Sequence, residues 1–540
     1  MSMPSRIFAV SLLVLLTLPS SFLRAGDLDE RIKQVLVRPE YKRARWGLLV
    51  VDDESGKPIF EHHADDLFAP ASVTKLFTCA AALAEFGADY RFHTPVYRRG
   101  QMLDGTLKGD LILVAKGDPT LGGRTDDRGR LVFRNLDHTY ADFTSTEPDL
   151  TDTDPLAGLR ALARQVRDRG IREIEGEVLI DSRLFAPAFA TGSGPKIVTP
   201  IIVNDNVLDV VVSPGKAAGE RATARVRPEN GFVHVDVQVR TGDKGDEPNV
   251  IVEFAGPDRY SLRGTIPLGS KPLVRICPIT NPELFARGLF IEALRREGVS
   301  VQASALRQPA AFLPNADAYA GLTRVASYQS PPLSELLKVT LKVSHNLYAS
   351  SLPLLIAAKR GKRTLADGMQ LEGKILSDLG VKIEELTLES GAGGGSCDRV
   401  APRAVVQLLR LMARRSDCEV FRSALPILGV DGTLAEVVPK DSPIRGKVRA
   451  KTGTYGDRDL LNERPFLRSK ALAGYLTTKT GRRLTFAIFV NDVQLAPGFS
   501  SVREAKTIAH LCELIYLYTP EKTGARRSDR SSARTADVRE

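Results

Sequence analysis

The chain has 540 residues, 43% of them hydrophobic and 26% charged, with a formal net charge of +10. These proportions exclude a disordered or collagen-like chain, and the length suggests two to four domains around sizeable cores. The basic surplus suits an anionic partner, such as nucleic acid, an acidic wall polymer or a membrane surface, but it is spread along the chain and densest only at the end.

In chain order, Arg6 precedes an apolar stretch from Ile7 to Leu18, after which Pro19, Ser20 and Ser21 lead to Ala25. A positive start, a short apolar core and a small-residue exit predict a secretory signal over residues 1–25. The stretch is short for a membrane span. Leu23 fits poorly three positions before a break after Ala25, so an uncleaved anchor is the alternative. The rest of the chain is expected to be exported, in a periplasmic or other extracytoplasmic location.

Residues 46–61 read as a hairpin turning at Asp53–Lys57, and Pro70 opens a predicted helix from Ala71 to Phe86 that Gly87 stops. From about Tyr97 to Ala310 the pattern changes to short alternating strands, among them Thr106–Val114 and Val207–Val212, with a single helix at Pro282–Glu297. Helical spacing returns at Pro332–Lys342, Leu347–Ala358, Leu365–Leu379 and Arg403–Arg414. A strand at Lys447–Lys451, a hairpin over Ala471–Asn491 and a helix Ser501–Tyr518 close the pattern. The expected organisation is an α+β domain made of residues 27–96 and 313–518, whose terminal parts share an antiparallel sheet, around a β-rich insertion at 97–312. Residues 519–540 carry Arg526, Arg527, Arg530 and Arg534 among small polar residues and read as a disordered basic tail. Peripheral wall or membrane contact and a merely solvated terminus are both open for it.

The five cysteines, Cys79, Cys277, Cys397, Cys418 and Cys512, have neither metal-ligand spacing nor the density of a disulfide framework. One bridge between Cys397 and Cys418 is open; buried free thiols are the favoured reading.

Three short motifs carry chemistry. Ser72-Val-Thr-Lys75 begins the first helix, and a spacing of three sets Ser72 and Lys75 one turn apart on one face. A serine hydroxyl needs a neighbour to take its proton, and a lysine can do so once burial or a nearby cation favours its neutral form. The helix start adds free amides suited to developing negative charge. Ser193-Gly-Pro-Lys196 and Ser213-Pro-Gly-Lys216 share the spacing, but Pro and Gly prevent the helical turn. Ser344-His-Asn346 interrupts two helices; Ser344 could relay a proton and Asn346 hold a substrate amide, although an ordinary inter-helix turn would look the same. His345 need not face the site. Of three K-T-G triplets, Lys522 lies in the tail and Lys479 in a hairpin turn. Lys451-Thr-Gly453 sits on or ends a strand. There Lys451 could meet a carboxylate, Thr452 adds a hydroxyl, Gly453 lets a substrate backbone approach, and the Thr454 and Ser72 amides could form an oxyanion hole. The sequence has no G-x-S-x-G elbow, H-E-x-x-H or P-loop.

In this order the motifs form a serine-acylase set, and the chain resembles the class C, type-4 low-molecular-mass penicillin-binding proteins, which are D-Ala-D-Ala carboxypeptidases and endopeptidases. The long gap between Ser72 and Ser344 carries the resemblance. So do Lys116-Gly-Asp-Pro-Thr-Leu121, Val203-Asn-Asp-Asn-Val207, Ser330-Pro-Pro-Leu-Ser-Glu-Leu-Leu337, Asp431-Gly-Thr-Leu434 and Val448–Thr454. It covers most of residues 30–518. The resemblance implies a penicillin-binding, β-lactamase-like transpeptidase fold. It also implies acylation of Ser72 by peptidoglycan stem peptides or by β-lactam antibiotics, with Lys75 as base. Ser344, Asn346 and Lys451 would complete the proton and substrate network. No cofactor, metal or nucleic acid is expected. Two stretches depart from the family pattern: Leu388–Ser396, a Gly-rich run that could be a flexible loop, and Leu347-Tyr-Ala349 after S-x-N. A β-lactamase or esterase on the same scaffold, and a non-catalytic wall-binding protein, are the alternatives.

Overall fold

The computed structural model describes residues 25–519, apart from 143–146, 308, 310–311 and 498–499. All but the last residue of the expected signal and all but the first residue of the basic tail lie outside the described residues.

Strands from both ends of the described chain form a five-stranded antiparallel sheet. Its strands are β1 (Arg45–Asp52), β2 (Pro58–His62), β3 (Val448–Asp459), β4 (Arg464–Thr477) and β5 (Arg483–Gln494), in the order β3-β4-β5-β1-β2. Early and late parts of the chain therefore meet in one sheet, with Leu48 of β1 opposite Ile488 of β5. Strand alternation sorts the two faces. Trp46, Leu48 and Val50 join a core with residues of the terminal helices, such as Leu28, Ile32, Ile508 and Leu511. Leu49 and Val51 join a second core with the helices Lys75–Phe86, Leu333–Lys342, Asn346–Lys359 and Pro402–Met412.

The helix Lys75–Phe86 is apolar on nearly all sides, with Leu76, Phe77, Ala80, Ala81 and Leu83 buried, as a helix crossing a core must be. Each large apolar side chain there contributes roughly 1.5–3 kcal/mol by burial. Gly87, at φ +81°, ends it, donating its N–H to the Leu83 carbonyl at 3.0 Å.

Between the two halves of this sheet, the strands His93–Leu103 and Thr323–Gln329 pair antiparallel. The segment they bracket carries a mixed six-stranded sheet and two three-stranded sheets, with a core of its own. One expectation fails there. Besides Pro282–Arg296 the segment holds a second helix, Ala157–Asp168, burying Leu159, Leu162, Ala163 and Val166. Its interleaved arginines obscure a regular 3.6-residue stripe, which packs against the Pro282–Arg296 helix. The helix Ala25–Leu36 is a further element that the sequence did not announce. Among the described residues no helix is long and apolar enough to cross a membrane. All five cysteines are free, so Cys397 and Cys418 form no bridge.

Candidate active site

Ser72 lies in a 3-10 turn, Ala71–Thr74, that leads directly into the helix starting at Lys75. The approach to this turn is clamped to the sheet. The Asn491 side chain accepts the Ala69 N–H at 2.7 Å, and the Ser469 hydroxyl donates to the Ala69 carbonyl at 2.6 Å. Ala71 is held at φ +47°, a conformation uncommon outside glycine, immediately before the serine.

Lys75 is fully buried. Its ammonium nitrogen reaches Ser72 Oγ, Asn346 Oδ1 and the Ala392 carbonyl, each at 2.8 Å. Loss of hydration pulls its pKa from the ordinary lysine value down to about 7, a shift that the distant charge of Asp398 partly opposes. The Gly-rich run is therefore no free loop. Ala392 touches the lysine, and a Cβ at Gly393 would stand 1.9 Å from the Ala71 carbonyl oxygen.

Ser344, at φ +61°, sits between the helices Leu333–Lys342 and Asn346–Lys359, and its carbonyl accepts the Tyr140 hydroxyl at 2.8 Å. Asn346 is engaged at both ends of its amide, accepting from Lys75 and donating to the Ser193 carbonyl at 3.1 Å. The Ser193–Lys196 turn, set aside as a motif, thus reaches the site through its backbone.

Lys451, Thr452, Gly453 and Thr454 all lie on β3. Lys451 does not face the cleft: it is fully buried and donates to its neighbour's carbonyl, Thr452 O, at 2.8 Å. Burial, with repulsion from Lys75, holds its pKa well below the lysine range. The Thr452 and Thr433 hydroxyls are 2.8 Å apart, which brings the Asp431–Leu434 segment to the rim. A Cβ on Gly453 would come within 2.6 Å of the Pro70 carbonyl oxygen, so β3 can press against the serine turn only with glycine there.

These pieces enclose a cavity of about 230 Å³, lined by Ser72, Ser344, Thr433, Thr452, Thr454 and Lys470, with Asn135, Leu136 and Tyr140 as a second wall. Sequence reasoning missed the residues brought in by strand pairing or packing: Lys470, Asn491, Ser469, Tyr140 and the Ala392 carbonyl.

Behind Ser344 lies a buried ionic network. Arg124 pairs with Asp137 at 2.7 Å and with Asp205, and its guanidinium lies 3.3 Å from His345 Nε2. His138 bridges Asp205 and Asp209 at 2.7 and 2.6 Å, and these carboxylates, outweighing its burial, raise its pKa to about 10. The Tyr348 hydroxyl donates to Asp205. His345 stacks on Tyr348 with ring centroids 3.7 Å apart, and its Nδ1 accepts the Tyr348 N–H at 3.3 Å, capping the helix that starts at Asn346. Asp137, Asp205 and His345 present atoms within 4.8 Å of one another, a spacing a cation could use. The Arg124 guanidinium already supplies that positive charge.

Residues 28–508 match the D-Ala-D-Ala carboxypeptidase 3 (S13) family. The chain belongs to that family. Its members are serine-type D-Ala-D-Ala carboxypeptidases, and this chain shares their enzyme class. It is 27% identical to the D-alanyl-D-alanine carboxypeptidase of Actinomadura sp. (strain R39), over 93% of this chain and 87% of the relative. It is also 24% identical to D-alanyl-D-alanine carboxypeptidase DacB of Haemophilus influenzae, covering 86% and 88%. The crystal structure of penicillin-binding protein 4 from Haemophilus influenzae matches the S13 chain with a TM-score of 0.67 at 22% identity, covering 92% of it and 99% of that structure. The fold is the same.

Proposed function

We propose that this S13 enzyme is exported and cleaves D-Ala-D-Ala termini or cross-links of peptidoglycan stem peptides through an acyl-enzyme on Ser72. The observation that carries the reading is the 2.8 Å contact between Ser72 Oγ and a fully buried Lys75 amine. A lysine that is partly neutral at pH 7 can take the hydroxyl proton as the oxygen attacks the carbonyl carbon. The Ser72 and Thr454 amides stabilise the oxyanion. Ser344 and Lys75 return the proton to the leaving amine, which departs as D-alanine or as the cross-linking amine. Water then deacylates the enzyme. Asn346 holds Lys75 in place, Lys451 contributes from beneath β3, and Thr452 and Gly453 bind the substrate along the strand.

The division of the chain into a catalytic unit, 27–96 with 313–518, around an inserted unit at 97–312 belongs to the same reading. It is supported by the shared five-stranded sheet and the separate core of the insertion. Export rests on the signal-like start and on the extracytoplasmic location of the family's substrate. Sensitivity to β-lactams is supported by two relatives: a Dictyostelium discoideum protein named a penicillin-sensitive carboxypeptidase, and the Haemophilus influenzae structure solved with a β-lactam.

The test is intact-protein mass spectrometry after incubation with benzylpenicillin. A long-lived adduct of one penicillin, absent in Ser72→Ala, is expected. Rapid turnover without an adduct would indicate a β-lactamase instead, and complete inertness towards both penicillin and stem peptide a non-catalytic binding protein.

A further inference from the structure

Among the described residues lining the cleft, Lys470 is the only one with a charged side chain. It stands on β4 directly opposite Thr454 of β3. Its half-buried ammonium donates to Thr454 Oγ1 at 2.9 Å and Ser501 Oγ at 3.1 Å. Both partners are neutral hydroxyls, and Lys470 makes no ion pair among the described residues. The anion whose charge acts on it, Glu504, is fully buried and paired through Oε1 with Arg503 at 2.6 Å. A cation that faces a cleft and lacks an anionic partner is prepared to receive one. Lys451, by contrast, is sealed beneath β3.

The position fits the substrate. Thr452 and Thr454 project from the same side of β3, and the terminal carboxylate of a D-Ala-D-Ala peptide lies immediately beyond the bond that Ser72 would attack. We propose that Lys470, with the Thr454 hydroxyl it holds, reads the free C-terminal carboxylate and so sets the preference for a chain terminus over an internal cross-link. This rests on the acyl-enzyme reading above. A peptide cross-link without a carboxylate there would leave the ammonium unpaired in a half-buried site, which disfavours it.

The experiment compares kcat/KM of the full chain on a D-Ala-D-Ala peptide with a free C-terminal carboxylate and on the same peptide as its C-terminal amide. Wild type, Lys470→Ala, Lys470→Arg and Ser72→Ala are assayed side by side. Lys470→Ala is expected to reduce the acid-over-amide preference at least tenfold, mainly through KM on the acid, with Lys470→Arg restoring most of it. An equal loss on both peptides would assign Lys470 to tethering the Ser501 region and overturn the proposal, as would an unchanged preference. A wild type with no Ser72-dependent cleavage of either peptide would overturn the functional reading itself, and this proposal with it.

Discussion

Lys75 should make acylation depend on pH in a way an ordinary lysine would not. At its usual pKa of about 10.5 roughly 1 in 3,000 side chains is neutral at pH 7, whereas at about 7 roughly half are. The geometry needs no rearrangement, because the amine already touches Ser72 Oγ. The second-order rate of acylation by benzylpenicillin, followed by stopped flow, should therefore rise about 30-fold between pH 5.5 and 8.5 and level off above pH 8. The sign follows from deprotonation: the active form is the neutral amine, so activity grows as pH passes the lysine pKa. A rate still climbing tenfold per unit beyond pH 9 would show that Lys75 keeps an ordinary pKa. A flat profile from pH 5.5 would show that it is not the base. Either result would refute the argument from burial.

Other expectations concern the supports of the site. Gly453→Ala pushes a Cβ to within 2.6 Å of the Pro70 carbonyl oxygen; shifting β3 from the serine turn should cost about 100-fold in acylation rate, and a loss under threefold would show that the strand can give way. Arg124→Ala leaves Asp137 and Asp205 buried without their main counter-charge. It should lower stability to urea by about 3–5 kcal/mol, and a loss below about 1 kcal/mol would mean that the network is not held by this guanidinium. Burial raises the Glu372 carboxyl to about 8, against a single hydrogen bond from Thr78 at 2.9 Å. The folded protein therefore holds a proton that the unfolded chain releases near pH 4.5, so this group's contribution to stability falls as pH rises to about 8 and is level beyond it. Glu372→Gln should remove that slope, and the urea midpoint difference between variant and wild type should widen in the variant's favour from pH 5 to pH 8.5; parallel curves would contradict the assignment.

The parts of the site legible in the sequence were those whose geometry is local. Ser72 and Lys75 meet because three residues make one helical turn, and Lys451 to Thr454 are fixed by strand alternation. What escaped depends on pairing between distant segments. Lys470 reaches the cleft because β4 registers against β3, and Asn491 holds the serine turn because β5 lies beside β1. The Leu388–Ser396 run was misjudged because glycine signals both looseness and close approach, and here Gly393 and Ala392 are pressed against Ala71 and Lys75. The Ala157–Asp168 helix was hidden by its arginines, which project around the narrow apolar stripe it buries.

The segment proposed as an insertion enters and leaves through two neighbouring antiparallel strands, His93–Leu103 and Thr323–Gln329, so in outline it could be excised and the ends rejoined. The network around Arg124 makes such a graft self-defeating. It would take away Asp205, the acceptor of the Tyr348 hydroxyl, and the Ser193 carbonyl that holds Asn346, while leaving every catalytic motif in the remaining sequence. A minimal enzyme cut down to its motifs would carry a complete signature and a loosened S-x-N turn. Substitutions at Asp205 or around Ser193 are then a route by which the proposed acylation of Ser72 can drift without a single change in S-x-x-K, S-x-N or K-T-G.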